Sequence, residues 1–96
     1  MEAEARNRFY RETLDLRQQI DVIESDLGQA TKELEEISRQ LADPEVYRRG
    51  ENIPELLKSH AAVKKQVEDL TKEWEGLAQQ LEGLERSRSS FSEENV

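Results

Sequence analysis

Cysteine is absent, which removes disulfide frameworks, thiolate nucleophiles and sulfur-ligated metals and leaves the redox compartment unread from this residue. Proline occurs twice, glycine four times, and aromatic residues make up 5% of the chain, so turns are few and a thick core is not expected. No run approaches the roughly 18 apolar residues of a membrane span. The polar start Met1-Glu-Ala-Glu-Ala-Arg6 lacks the basic region and apolar stretch of a signal peptide. The expectation is a cytoplasmic protein without membrane contact. One histidine, His60, cannot complete a metal site by itself and is read as a core residue with a snorkelling ring.

Charge is what the chain has in abundance. Asp, Glu, Lys and Arg make up 38% of 96 residues and hydrophobic residues 34%, a bias that suits long exposed helices around one apolar seam within a single domain. The formal net charge of −8 repels polyanions over most of the surface, so any nucleic-acid contact must be local, through clusters of Arg and Lys.

From Phe9 the apolar positions run Phe9, Thr13, Leu16, Ile20, Ile23, Leu27, Ala30, Leu34, Ile37 and Leu41, in alternating steps of four and three. This is a heptad repeat. A second series with the same alternation runs Leu56, His60, Val63, Val67, Leu70, Trp74, Leu77, Leu81 and Leu84. Between the two lie both prolines and Gly50. Asp43 before Pro44 should cap a short turn that Gly50 ends, and Asn52 with Glu55 has the spacing of a capping box for the second helix.

Pairing the series outward from this tip sets Leu41 against Leu56, Ile37 against His60, Leu34 against Val63, Ala30 against Val67 and Ile23 against Trp74. The residue numbers in every pair have the same sum, so each a position faces a d position, as antiparallel knobs-into-holes packing requires. The fold class expected is all-α, a two-helix antiparallel coiled-coil hairpin with a short structured tip, about 40 Å long at roughly 1.5 Å per residue. The hairpin should occupy residues 1–88, with helices over about 5–42 and 53–86 and the tip over 43–53. The seam weakens at the open end, where Thr13 faces Leu84, and residues 89–96 read as a Ser-rich disordered tail.

Two helices offer no water-excluding pocket, and neighbours such as Glu35 and Glu36 point to different faces, so no catalytic, cofactor or metal residues are expected. The basic residues are more informative. Many lie on outer positions where Glu35 to Arg39, Glu68 to Lys72 and Glu82 to Arg86 form intrahelical pairs. Two clusters stand apart from that explanation. Arg48 and Arg49 project from the tip, with Lys58, Lys64 and Lys65 along the second helix; Arg6, Arg8, Arg11 and Arg17 gather at the open end, where Arg86 and Arg88 return beside them. Phe9 and Tyr10 add aromatic surface there that can stack on a base.

Three strings carry a family resemblance: Asn7-Arg-Phe-Tyr-Arg-Glu12, Leu41-Ala-Asp-Pro-Glu-Val-Tyr47 and Lys72-Glu-Trp-Glu-Gly-Leu77. On this hairpin they resemble the C-terminal coiled-coil domain of ABC-F ATPases, the Uup-like proteins in particular, over about residues 6–86. The tip string with the Trp-Glu pair one helix later is the most specific part. The resemblance implies two ATP-binding cassettes, with ATP as their cofactor, in a longer parent protein of which this would be an excised accessory domain associated with DNA. The chain itself has no Gly-x-x-x-x-Gly-Lys-[Ser/Thr] loop. It departs from the family pattern at Ser59-His60, where an aromatic is expected, and in its acidic balance.

The first reading is a non-enzymatic, monomeric accessory domain that meets DNA or RNA backbone weakly through the two basic clusters and packs with the parent's cassettes, without reading bases. The alternative is a protein-interaction or spacer hairpin that uses the tip or exposed Leu14 and Val22.

Overall fold

The computed structural model describes the backbone of residues 2–50 and 52–94 and the side chains of residues 3–50 and 52–87. Its elements are α1 (Glu2–Ala42), α2 (Pro44–Arg49) and α3 (Ile53–Glu94), with no strand among the described residues. The chain is all-α, and its element order and pairing are those of an antiparallel helical hairpin. It divides into two compact units. A terminal unit holds Met1–Glu24 with Glu73–Val96, and a tip unit holds Ser25–Lys72. In each, a stretch of α1 lies beside a stretch of α3.

Within the tip unit the reversal is built from local backbone chemistry. Proline disfavours helical backbone in the residue before it, and α1 accordingly ends at Ala42, with Asp43 extended at φ −83, ψ 117. The Asp43 carboxylate accepts the Glu45 backbone N–H at 2.9 Å, which makes it the N-cap of α2, while Pro44 occupies the first turn where a missing N–H costs nothing. Gly50 closes α2 in the left-handed region at φ 66, and its N–H donates to the Tyr47 carbonyl at 3.1 Å.

Asn52 also lies in the left-handed region, at φ 56, a conformation that Asn tolerates better than other residues with a Cβ. Its carbonyl accepts the Leu56 N–H at 2.8 Å and so opens α3. The capping box expected for Asn52 and Glu55 needs extended backbone at the cap. The left-handed turn at Asn52 replaces it.

Every described position of both apolar series is shielded from solvent. The described residues between them are exposed, apart from half-buried Gln40, Val46, Ile53, Thr71 and Ala78. In the tip unit Ala30, Ile37 and Val63 form the buried core, with Leu34, Leu41, Leu56, Val67 and Leu70 packed against it. Ala30 is the most deeply buried of these, at 3% exposure, as a small side chain must be where two helices approach closely.

The terminal unit buries Ile23 and Thr13. Thr13, expected to mark a weakening seam, donates its hydroxyl back to the Phe9 carbonyl at 2.9 Å, and that hydroxyl lies 3.1 Å from the carbonyl of Tyr10. A satisfied hydroxyl leaves only the methyl facing the partner helix, so the polar residue is carried without an unpaired group.

Beyond Arg86 the apolar periodicity stops, but α3 continues to Glu94. The tail expected over 89–96 is therefore helical in its backbone as far as Glu94, while residues 95–96 lie outside the described residues. No proline or glycine follows Gly83, and Ser, a middling helix former, does not stop a helix that is already propagating.

Ile23→Ala should lower stability by roughly 2–5 kcal/mol, because it empties a layer between two helices; Gln18→Ala on the exposed face of α1 should leave the thermal melt unchanged. Equal effects would refute the seam. At the tip, Gly50→Ala should cost about 1–2 kcal/mol through its left-handed backbone, whereas Asn52→Gly, which relaxes the same strain, should be neutral or stabilising in urea titrations.

Candidate functional site

Because one face of each long helix is committed to the seam, any site lies on the outward residues. Arg6, Arg8, Arg11, Arg17 and Arg86 are all exposed, and all five belong to the terminal unit. The Arg88 side chain lies outside the described residues. Arg48, Arg49, Lys58, Lys64 and Lys65 are likewise exposed and belong to the tip unit. These ten candidate residues therefore fall into two sets of five, one in each unit.

Ion pairing subdivides them. Arg17 Nη2 meets Glu85 Oε1 at 2.8 Å, joining α1 to α3. Arg86 meets Glu82 at 2.6 Å and Arg48 meets Glu45 at 3.4 Å, both within one helix. Arg6, Arg8, Arg11, Arg49, Lys58, Lys64 and Lys65 have no ion pair among the described residues. A guanidinium without a carboxylate partner can take a phosphate directly, in a charge-assisted and often bidentate contact, whereas a paired one must first exchange partners.

On α1 the unpaired arginines flank an aromatic. Arg6, Tyr10 and Leu14 follow one another at four-residue spacing, which places them on one ridge of the helix. Tyr10 is 65% and Leu14 41% exposed. At the tip, Arg49 and Asn52 join Gln40, Val46 and Leu56 around a shallow cleft of about 180 Å³. Among the described residues Arg49 is the only charged one lining it. Among the described residues no group of three or more His, Asp or Glu side chains is arranged to hold a metal ion, and no helix is long and apolar enough to cross a membrane.

Some pairings were out of reach of sequence periodicity. Trp74 donates its indole N–H to Glu24 Oε1 at 3.0 Å, which gives the polar end of a half-buried ring a protein partner at the edge of the seam. The available signal was an acid directly after Ile23, the residue set against Trp74 in the seam. Arg39 pairs with Glu36 at 3.0 Å and not with Glu35, and Lys72 has no ion pair with Glu68. Spacings of three and four are both open on a helix, and rotamer choice decides between them.

A family model described as the ABC transporter C-terminal domain matches residues 11–86. The matched span runs from Arg11 through the tip to Arg86, so Arg6 and Arg8 precede it. No curated protein and no solved structure matches the chain.

The Arg17–Glu85 bridge is solvent-exposed on both sides, at 62% and 49%, and exposed pairs stabilise little. A double-mutant cycle with Arg17→Ala and Glu85→Ala should therefore return a coupling below about 1 kcal/mol. A coupling of several kcal/mol would make this bridge a structural clamp, and Arg17 would leave the candidate interface.

Proposed function

We propose that this chain, which belongs to the ABC transporter C-terminal domain family, is the non-catalytic accessory domain of an ABC-F type ATPase in the cytoplasm and binds nucleic-acid backbone. One observation carries the reading. In a chain of net charge −8, Arg6, Arg8 and Arg11 stand within two helical turns of one another, exposed and without an ion pair among the described residues. Surface arginines on an acidic helix ordinarily serve its own carboxylates, as Arg39 and Arg86 do here. Arginines left unpaired keep their donors available for an anion from outside.

The contact is local and backbone-directed. Phosphates meet Arg6, Arg8 and Arg11, with Arg49, Lys58, Lys64 and Lys65 as a second set, and no element presents side chains to base edges in a groove. ATP belongs to cassettes elsewhere in the parent protein, and this domain adds grip on a polyanion to their cycle. A protein-docking role is the second reading, favoured by exposed Leu14, Val22, Tyr47 and Leu57. Salt separates the two, since phosphate contacts weaken steeply with ionic strength and apolar docking does not.

Fluorescence anisotropy with labelled DNA and RNA should show weak binding with little sequence preference that collapses as salt is raised. Replacing Arg6, Arg8 and Arg11 with Glu should abolish it while helicity by circular dichroism stays unchanged. Replacing Arg48 and Arg49 with Ala should flatten the salt slope by about one unit for each phosphate that the tip no longer neutralises. Absence of binding at low salt, or binding indifferent to both sets, would overturn the nucleic-acid reading in favour of protein docking.

A further inference from the structure

The chain contains two tyrosines, and neither is used to build the fold. Tyr10 is 65% and Tyr47 53% exposed, among the most exposed large apolar side chains described. The described aromatics that serve the seam are Phe9 and Trp74, both half-buried. A tyrosine ring left in water forgoes the burial that makes it valuable to a core, while its two torsions make it cheap to order against a ligand.

Both rings have arginines close by in the chain, though at different spacings. Tyr10 follows Arg6 by one helical turn and directly precedes Arg11; neither arginine has an ion pair among the described residues. Tyr47 directly precedes Arg48 and Arg49 on α2, and Arg49 likewise has no ion pair among the described residues. The terminal unit holds one such set and the tip unit the other. An exposed ring with arginines on the same stretch of helix offers what the two parts of a nucleotide with a free base require. The ring accepts the π-face and the guanidinium the phosphate. Duplex ends apart, a paired base has both faces covered by its neighbours, so such a set has nothing to stack on along a duplex.

We propose that Tyr10 and Tyr47 are stacking platforms for unpaired bases, each with its neighbouring arginines on the adjoining phosphates, and that the preferred ligand is single-stranded nucleic acid. This rests on the nucleic-acid reading above and narrows it, since phosphate contacts alone would favour the higher charge density of a duplex.

The test compares the 96-residue chain with Tyr10→Ala, Tyr47→Ala, the double variant and the Tyr→Phe counterparts. Anisotropy is measured on a labelled oligothymidylate and on a duplex of equal length at one ionic strength, and the single-strand titrations are repeated across a salt series. Wild type should bind the single strand more tightly. Each Tyr→Ala change should weaken that binding on the order of tenfold, given the strength of base–aromatic stacking. The Phe variants should retain it, and the salt slope should not move because the phosphate contacts remain. Duplex affinity should be unchanged throughout. Equal or tighter duplex binding, or single-strand binding indifferent to Tyr→Ala, would overturn the stacking inference while leaving backbone binding in place. Absence of binding to either ligand would overturn both.

Discussion

Two helices have one place to hide apolar surface, and that limitation governs the rest of the molecule. A helix in a larger domain can bury several faces against several neighbours, whereas in this chain the two long helices pack on each other and keep most of their apolar residues in a narrow stripe. Everything outside the stripe remains in water, which is why charge makes up 38% of the chain. The same confinement explains the treatment of misfits. Thr13 hides its hydroxyl in its own helix, and Trp74 directs its indole N–H to an acid at the rim. A seam one residue deep cannot absorb an unpaired donor, but its edges always lie within reach of a polar partner.

That geometry also decides where function can sit. With no interior to enclose a ligand, recognition must use outward side chains, and several of those are engaged with one another. Glu82, Glu45 and Glu36 each hold an arginine of their own helix. What remains for an external anion is set by subtraction, and it is unevenly distributed: Arg6, Arg8 and Arg11 in one unit, and Arg49 with Lys32, Lys58, Lys64, Lys65 and Lys72 in the other. The acidic total is then no obstacle to a local contact. It limits how much of the surface can take part, and it makes any such contact sensitive to ionic strength.

Periodicity makes the seam legible residue by residue, because burial in a two-helix pair is dictated by the position of each side chain on the wheel and by little else. Asp43, Pro44 and Gly50 are legible for a related reason, since each acts on its own backbone. Asn52 is not. Its three-residue spacing to Glu55 and its four-residue spacing to Leu56 suit two different helix starts, and only the path required of the returning chain selects the left-handed one. The continuation of α3 to Glu94 escapes the sequence pattern because the end of an apolar repeat does not mark the end of a helix, and propagation needs no partner once the helix is running. Both basic clusters are visible as composition. Which of their members are already engaged depends on rotamers and on cross-helix neighbours such as Glu85, neither of which a linear pattern encodes.

The position of Trp74 has an optical consequence. It is the sole tryptophan of the chain and lies in the terminal unit, half-buried, with its ring nitrogen bonded to the Glu24 carboxylate. Indole emission depends on polarity and hydrogen bonding around the ring, so the tryptophan emission of this protein is a local signal from the seam around Trp74. The two tyrosines emit weakly beside it. Far-ultraviolet dichroism, by contrast, records helix along the whole of both long helices. Comparing the two signals during unfolding separates loosening around Trp74 from loss of helix without a label.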